Sequence, residues 1–336
     1  MTSLMIIKII SKGGTHMATA NIPKWRDATR QQSKASIVIE GLSGSGKSGL
    51  ALALAYILAD KAWDKVYSID TENKSLDLFQ GIQLHIGEPV NSFKKLDLLP
   101  MHGYAPSNYE ACKQSAKEAG AQVVIQDSIS HMWTGRGGIL DLVSKAKAED
   151  RYMDNYRVWG LPHIYSEKNA VFNTIRDSDV HVISTVRVKE KHEFVSGAEG
   201  KKELKSLGEQ EIQMPDLKYE PDLVLSMQEP GSINGTPPKA KVIKTRYVIF
   251  QKGEVYEFTE SLMLQLKQYL AEGADPEILK EQQRVEYIDS ITKLLDENAS
   301  SRTIFPSLKE QIGKKNVALK DMELNDVRIL YSMLIS

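Results

Sequence analysis

Eight consecutive residues carry the plainest chemistry in this chain. Gly41-Leu42-Ser43-Gly44-Ser45-Gly46-Lys47-Ser48 matches G-x-x-x-x-G-K-[ST] in full. Glycines at Gly41, Gly44 and Gly46 let a backbone wrap a polyphosphate with its N–H groups turned inward. Ser43, Ser45 and Gly49 complete the expected cradle, and the helix that follows offers its positive N-terminus. Lys47 is expected to reach the β- and γ-phosphates, and the Ser48 hydroxyl to ligate Mg²⁺. By itself the loop leaves kinase, GTPase, ATPase and motor chemistry open.

Two carboxylates extend the site. Asp127 closes the run Val123-Val124-Ile125-Gln126-Asp127-Ser128. A carboxylate at the end of a buried strand can orient a water on the Mg²⁺, so Asp127 joins Ser48 as a metal residue. Asp70-Thr71-Glu72-Asn73 follows another apolar strand. Hydrolysis needs a group to activate the attacking water, and Glu72 is the candidate. That assignment expects its strand to lie beside the strand leading into the glycine loop. Asp70 is the second candidate for that role and reads more readily as a turn residue.

These groups need a scaffold. Short apolar runs at 36–40, 65–69, 82–86, 122–126, 180–186, 223–226 and 240–245 read as strands. Helical spacing appears at 46–59, 107–118 (with Ser107 as N-cap), 139–149 and 167–176. Residues 247–258 read as a hairpin turning at Lys252-Gly253. The alternation predicts an α/β fold, a mostly parallel twisted sheet flanked by helices, over 35–259. Residues 128–138 and 189–217 lack a regular pattern, and loops of that length are often functional. Residues 260–336 carry apolar residues at helical spacing and read as a small C-terminal helical domain, ending in a helix over 323–335.

Length and composition set the outer limits. The chain has 336 residues, 26% charged and 41% hydrophobic, which excludes collagen, a coiled-coil rod and a mostly disordered chain. A net charge of -1 excludes a basic field over the whole protein, so any nucleic-acid contact must come from a local patch. The single cysteine, Cys112, excludes a disulfide scaffold and fits a cytoplasmic location. No membrane association is expected. At the N-terminus, Lys12-Gly13-Gly14 can be encoded as a bacterial ribosome-binding sequence, with Thr15-His16 as spacer. Met17 is therefore the expected start, with 1–16 as a leader and 17–34, including Trp25 and Arg26, as an N-terminal arm that could contact a neighbouring subunit.

Taken in order, these motifs resemble the RecA-like ATPases. That family places a catalytic glutamate in an I-D-x-E element, as in Ile69-Asp70-Thr71-Glu72, and a V-V-x-x-D-S element, as in Val123 to Ser128. It also carries a strand ending in a polar sensor, matched by Ser184-Thr185-Val186-Arg187-Val188-Lys189. Threonine stands at Thr185 where the family usually has glutamine. Lys244-Thr245-Arg246-Tyr247 resembles the K-x-R-[FY] element of RadA-type proteins, whose two cations reach a neighbour's ATP. Lys244 and Arg246 could equally form one solvated strand face. The likeness spans 35–258 and is strongest to the compact ATPases of bacteriophages, the Sak-type single-strand annealing proteins. It implies ATP and Mg²⁺ as cofactors, a homo-oligomer with ATP at the subunit boundary, and DNA-dependent ATP hydrolysis in recombination or repair.

The resemblance also implies contact with single-stranded DNA through the two irregular stretches, often beside a single-strand-binding protein. The first offers Trp133 and Arg136, with His131 near them. Trp133 could stack on a base or pack as an ordinary hydrophobe. The second offers Arg187, Lys189, Lys191, Phe194, Lys201 and Lys202. From 187 to 218 seven basic residues meet seven acidic ones, so this stretch is neutral as a whole. Two alternatives stand beside the DNA-dependent ATPase. One is a nucleotide-switched accessory factor, such as a helicase loader, working through its C-terminal helices. The other is a P-loop kinase, which would want an arginine-rich lid that 189–205 lacks.

Overall fold

The computed structural model describes residues 27–150, 152–177, 179–196, 202–231 and 235–335. Residues 1–26, on which the expected leader, the expected start at Met17, Trp25 and Arg26 fall, and Lys201 lie outside them. In chain order the first half runs β1 (Ser36–Gly41), α1 (Lys47–Leu58), β2 (Val66–Asp70), β3 (Lys94–Asp97), α2 (Pro106–Glu118) and β4 (Val123–Asp127). Four helices follow: α3 (Ser130–Thr134), α4 (Ile139–Glu149), α5 (Asn155–Trp159) and α6 (Pro162–Ile175). Then come β5 (His181–Ser196), β6 (Lys202–Glu211), β7 (Leu223–Glu229), β8 (Lys239–Thr245) and β9 (Val255–Glu257). The chain closes with α7 (Glu260–Ala271), α8 (Pro276–Glu297), α9 (Ala299–Gln311) and α10 (Leu324–Ile335).

The strands form one sheet in the order β3-β2-β4-β5-β1-β7-β8-β9, with β6 paired to β5. From β3 to β7 every pairing is parallel, and β6, β8 and β9 join antiparallel. The fold is therefore α/β, with a mostly parallel sheet flanked by helices. Successive strand residues point to opposite faces, and here both faces are covered. Ile37 and Ile39 join α1 and α7 in one core, while Val38 joins α2 and α6 in the other. Double coverage is why β1 and β4 read as unbroken apolar runs. No helix among the described residues is long and apolar enough to cross a membrane.

Several elements differ from the sequence reading. Residues 82–86 are not a strand. Gly87, at φ 80°, turns the chain, and Gly81 and Leu84 bond to Val90 and Glu88 across the loop. Leu84 and Ile86 are core residues of that loop, so their alternation reports burial rather than pairing. The edge strand is instead β3, whose residues are exposed or half-buried, which no apolar pattern announces. Residues 189–196 and 202–211 pair as antiparallel strands rather than forming an irregular loop. The 128–138 stretch contains α3. The hairpin expected within 247–258 is made by β8 and β9, with Gly253 (φ 94°) in the connection. Ser107 does not cap α2. Ala105 does, Pro106 opens the helix, and Ser107 bonds Glu167 instead.

Two compact units result, dividing between Glu272 and Gly273 rather than at 259/260. Helix α7 belongs with the sheet, because Met263, Leu266 and Leu270 are buried in the same core as α1. The other unit joins 273–335 to residues 27–32, where Gln31 bridges Ala274. Its own small core contains Tyr287, Ile291, Met322, Val327 and Leu330.

Candidate functional site

The glycine loop turns directly from β1 into α1. Gly44 (φ 78°) and Gly46 (φ 87°) adopt left-handed backbone that L side chains rarely take. A Cβ on Gly46 would also lie 2.8 Å from Pro230, and one on Gly41 would lie 2.5 Å from Ser45 Oγ. Lys47 is buried and donates to the carbonyls of Gly41 (3.0 Å) and Leu42 (2.7 Å), so its ammonium folds over the loop. Ser43 is exposed at the tip, and Gly49 sits in the first turn of α1 with Phe79 against its back. Gly46 brings no side chain to cap the first turn, and that turn has no acidic residue. An anion here would meet backbone N–H donors and the helix dipole. Ser45 Oγ is buried without a hydrogen-bond partner.

Asp127 joins three elements. Its Oδ2 accepts from Ser48 Oγ at 2.6 Å, and its Oδ1 accepts from Thr185 Oγ1 at 2.5 Å. The carboxylate is 2% exposed, and no ion pair reaches it among the described residues. Thr185, expected as a sensor, is fully buried and spends its hydroxyl on Asp127. Among the described residues, no group of three or more His, Cys, Asp or Glu is placed to hold a metal ion.

Glu72 reaches the site by another route than expected. Its strand β2 does not lie beside β1, because β4 and β5 stand between them. Glu72 crosses that gap through its partners. Its Oε1 accepts from Ser128 Oγ at 2.8 Å and from Arg187 Nε at 2.6 Å, and its Oε2 accepts from Arg187 Nη2. Arg187, expected on DNA, is therefore a bidentate partner of the expected base. Asp70 caps the turn, accepting from the amides of Glu72 (2.8 Å) and Leu76 (3.3 Å), and burial raises its pKa.

Sequence reasoning missed Thr71 and the place of His131. Thr71 Oγ1 accepts from the Ser128 amide at 2.9 Å and lies 2.8 Å from His131 Nδ1. Tyr104 stacks on that imidazole at 4.8 Å between centroids, and burial lowers the pKa of His131. The signal was the position of Thr71 between the two acidic residues already singled out. His131 thus serves the floor of the site.

The remaining candidates lie apart. Lys244 Nζ donates to the carbonyls of Tyr219 and Pro221, each at 2.5 Å. Arg246 binds Asp222 Oδ1 at 2.8 Å. Both cations are tied to residues 219–222 of their own chain and are not brought to the glycine loop. Burial lowers the pKa of Lys244, with Arg246 adding to the effect. Trp133 is half-buried and stacks on Trp159, with 6.0 Å between centroids and 15° between planes. Arg136 is exposed, as is Lys189 at the root of the β5–β6 hairpin. Lys191, Phe194 and Lys202 lie on the hairpin strands, with Phe194 opposite Leu204 and Lys202 opposite Ser196.

A polar cavity of about 530 Å³ between α2 and α6 shares no residue with this site. Lys113 on its wall gives its three protons to Asn173 O, Arg176 O and Asp177, which leaves the ammonium saturated. No family model and no curated protein matches the chain.

Proposed function

We propose that this protein is a RecA-like ATPase that binds and hydrolyses ATP with Mg²⁺ and acts on single-stranded DNA in recombination, annealing or repair. The observation that carries the reading is the linkage of Ser48 and Thr185 through Asp127, at the N-terminus of the helix that follows the glycine loop. The orphaned Ser45 hydroxyl, the uncapped first turn and the folded-back Lys47 all suit a phosphate. Lys47 would meet the β- and γ-phosphates. Ser48 and Asp127 would hold Mg²⁺, which supplies charge stabilisation when bound. Glu72 would take a proton from the attacking water.

The DNA half rests on the resemblance and on the basic residues of the β5–β6 hairpin. Assembly as a homo-oligomer, with Lys244 and Arg246 turned to a neighbour's ATP, belongs to the same reading. The deciding experiment measures ATP turnover with and without single-stranded oligonucleotide, beside a gel shift at low salt. Stimulated turnover and a salt-sensitive shift are expected. Turnover that DNA does not change, with no shift, leaves only an ATPase.

One observation favours the accessory-factor reading. Ile278 and Val285 are exposed, 58% and 44%, and their spacing puts them on one face of α8. A partner captured through 273–335, with tight ATP binding and negligible turnover, would select that reading.

A further inference from the structure

Arg187 holds a position that the reaction above leaves unexplained. Its backbone stands opposite Gly41 in the β1–β5 register, where the glycine loop begins. From there its guanidinium passes the end of β4 and binds both oxygens of Glu72. Ser128 Oγ binds one of the same oxygens at 2.8 Å. The Arg187 amide donates to Ser130 Oγ at 2.9 Å, and its carbonyl accepts from Ile212 N at 2.8 Å. Arg187 therefore sits at the root of the β5–β6 hairpin while its side chain occupies Glu72.

A general base needs a lone pair aimed at the water it activates. A paired guanidinium removes that capacity, because it occupies both oxygens of the carboxylate. The pair is also reachable: the side chains of Arg187 and Glu72 are 42% and 17% exposed. An arginine fork accepts a phosphate as readily as a carboxylate, with the same two parallel donors.

We propose that Arg187 is a positioning residue that withholds Glu72 from the reaction until a DNA backbone phosphate draws the guanidinium away. The proposal rests on the reading of Glu72 as the base. Once Arg187 leaves, the Ser128 hydroxyl still holds one carboxylate oxygen, and the other is released. DNA that binds only the released arrangement shifts the population toward it, which couples a contact at the hairpin to hydrolysis.

The test is steady-state ATP turnover of the full chain as wild type, Arg187→Ala and Arg187→Lys, each with and without single-stranded oligonucleotide. Arg187→Ala is expected to turn over ATP without DNA roughly five- to tenfold faster than wild type, and DNA is expected to add nothing. Arg187→Lys keeps the charge but loses the fork, so it should fall between the two. A damaged fold cannot raise turnover, so the gain is not a structural side effect. An Arg187→Ala rate at or below wild type overturns the proposal, as does DNA stimulation retained in that variant or absent from wild type. A fluorescent ATP analogue titrated in parallel separates the two failures. No binding by any variant sinks the ATPase reading itself, whereas normal binding with unchanged Arg187→Ala turnover sinks only the role of Arg187.

Discussion

Asp127 and Glu72 lie at the ends of neighbouring strands, yet opposite kinds of partner hold them. Asp127 is buried, and among the described residues its carboxylate receives hydroxyl groups, from Ser48 and Thr185. Glu72 is partly open and receives a guanidinium besides the Ser128 hydroxyl. Hydroxyls and no cation meet Asp127 among the described residues, so a divalent cation arriving there would break no ion pair. A guanidinium compensates Glu72, so a water would find its base engaged. On the proposed reading, one carboxylate would be ready for a metal and the other would still have to be freed to take a proton.

The largest effect should come from breaking the first half of that contrast. Asp127→Asn removes the charge that would hold Mg²⁺ while keeping the shape. Loss of turnover of roughly 10³-fold is expected, the order that several kcal/mol of metal-ion stabilisation implies. A Mg²⁺ titration of the residual rate checks it, because the variant should need far more metal. A rate within tenfold of wild type at equal Mg²⁺ would remove Asp127 from the metal site.

The second half breaks with Glu72→Gln. Here turnover should fall roughly 10²-fold, the usual contribution of a positioned base, while ATP affinity stays within about twofold. Single-turnover hydrolysis and equilibrium nucleotide titration read the two numbers separately. Equal losses in both would make Glu72 a binding group and dissolve its contrast with Asp127.

How much of this was legible in the sequence follows from where the information lies. The glycine loop is contiguous, so its turn from β1 into α1 is written in adjacent residues. Asp127 is legible for a similar reason: burial on both faces makes β4 an apolar run, and the polar residue that ends it stands out. Sheet order is not written locally. Nothing in 66–72 says that two strands separate β2 from β1, so the partner of Glu72 could not be named. The β5–β6 hairpin pairs through its backbone, with Glu193 opposite Lys205, and offers no apolar stripe to read. Helical spacing in 260–271 announces α7 but not which core it joins. Lys244 and Arg246 are visible as a pair, but the carbonyl and the carboxylate they find, at Pro221 and Asp222, lie more than twenty residues upstream.

The smallest effects are on stability, and their signs should oppose each other. Among the described residues no cation pairs with the buried Asp127 carboxylate, which also helps raise the pKa of the neighbouring Asp70, behind burial. Asparagine at 127 removes both costs. Its amide can still bond Ser48 and Thr185, since a hydroxyl donates or accepts as required. Asp127→Asn without nucleotide should therefore gain about 1 kcal/mol, or roughly 2–4 °C in unfolding midpoint for a domain of this size. That is the direction expected when a residue is kept for function rather than for folding. Glu72→Gln removes an ion pair that the fold does use, and should lose up to about 1 kcal/mol, discounted for its exposure. Adding ATP and Mg²⁺ should then stabilise wild type more than Asp127→Asn, because only wild type holds the metal with a full charge. Thermal unfolding of the three proteins, with and without Mg²⁺ and ATP, reads all of these shifts. A nucleotide-free Asp127→Asn that melts below wild type would mean that Asp127 is compensated after all, and the two carboxylates would differ only in exposure.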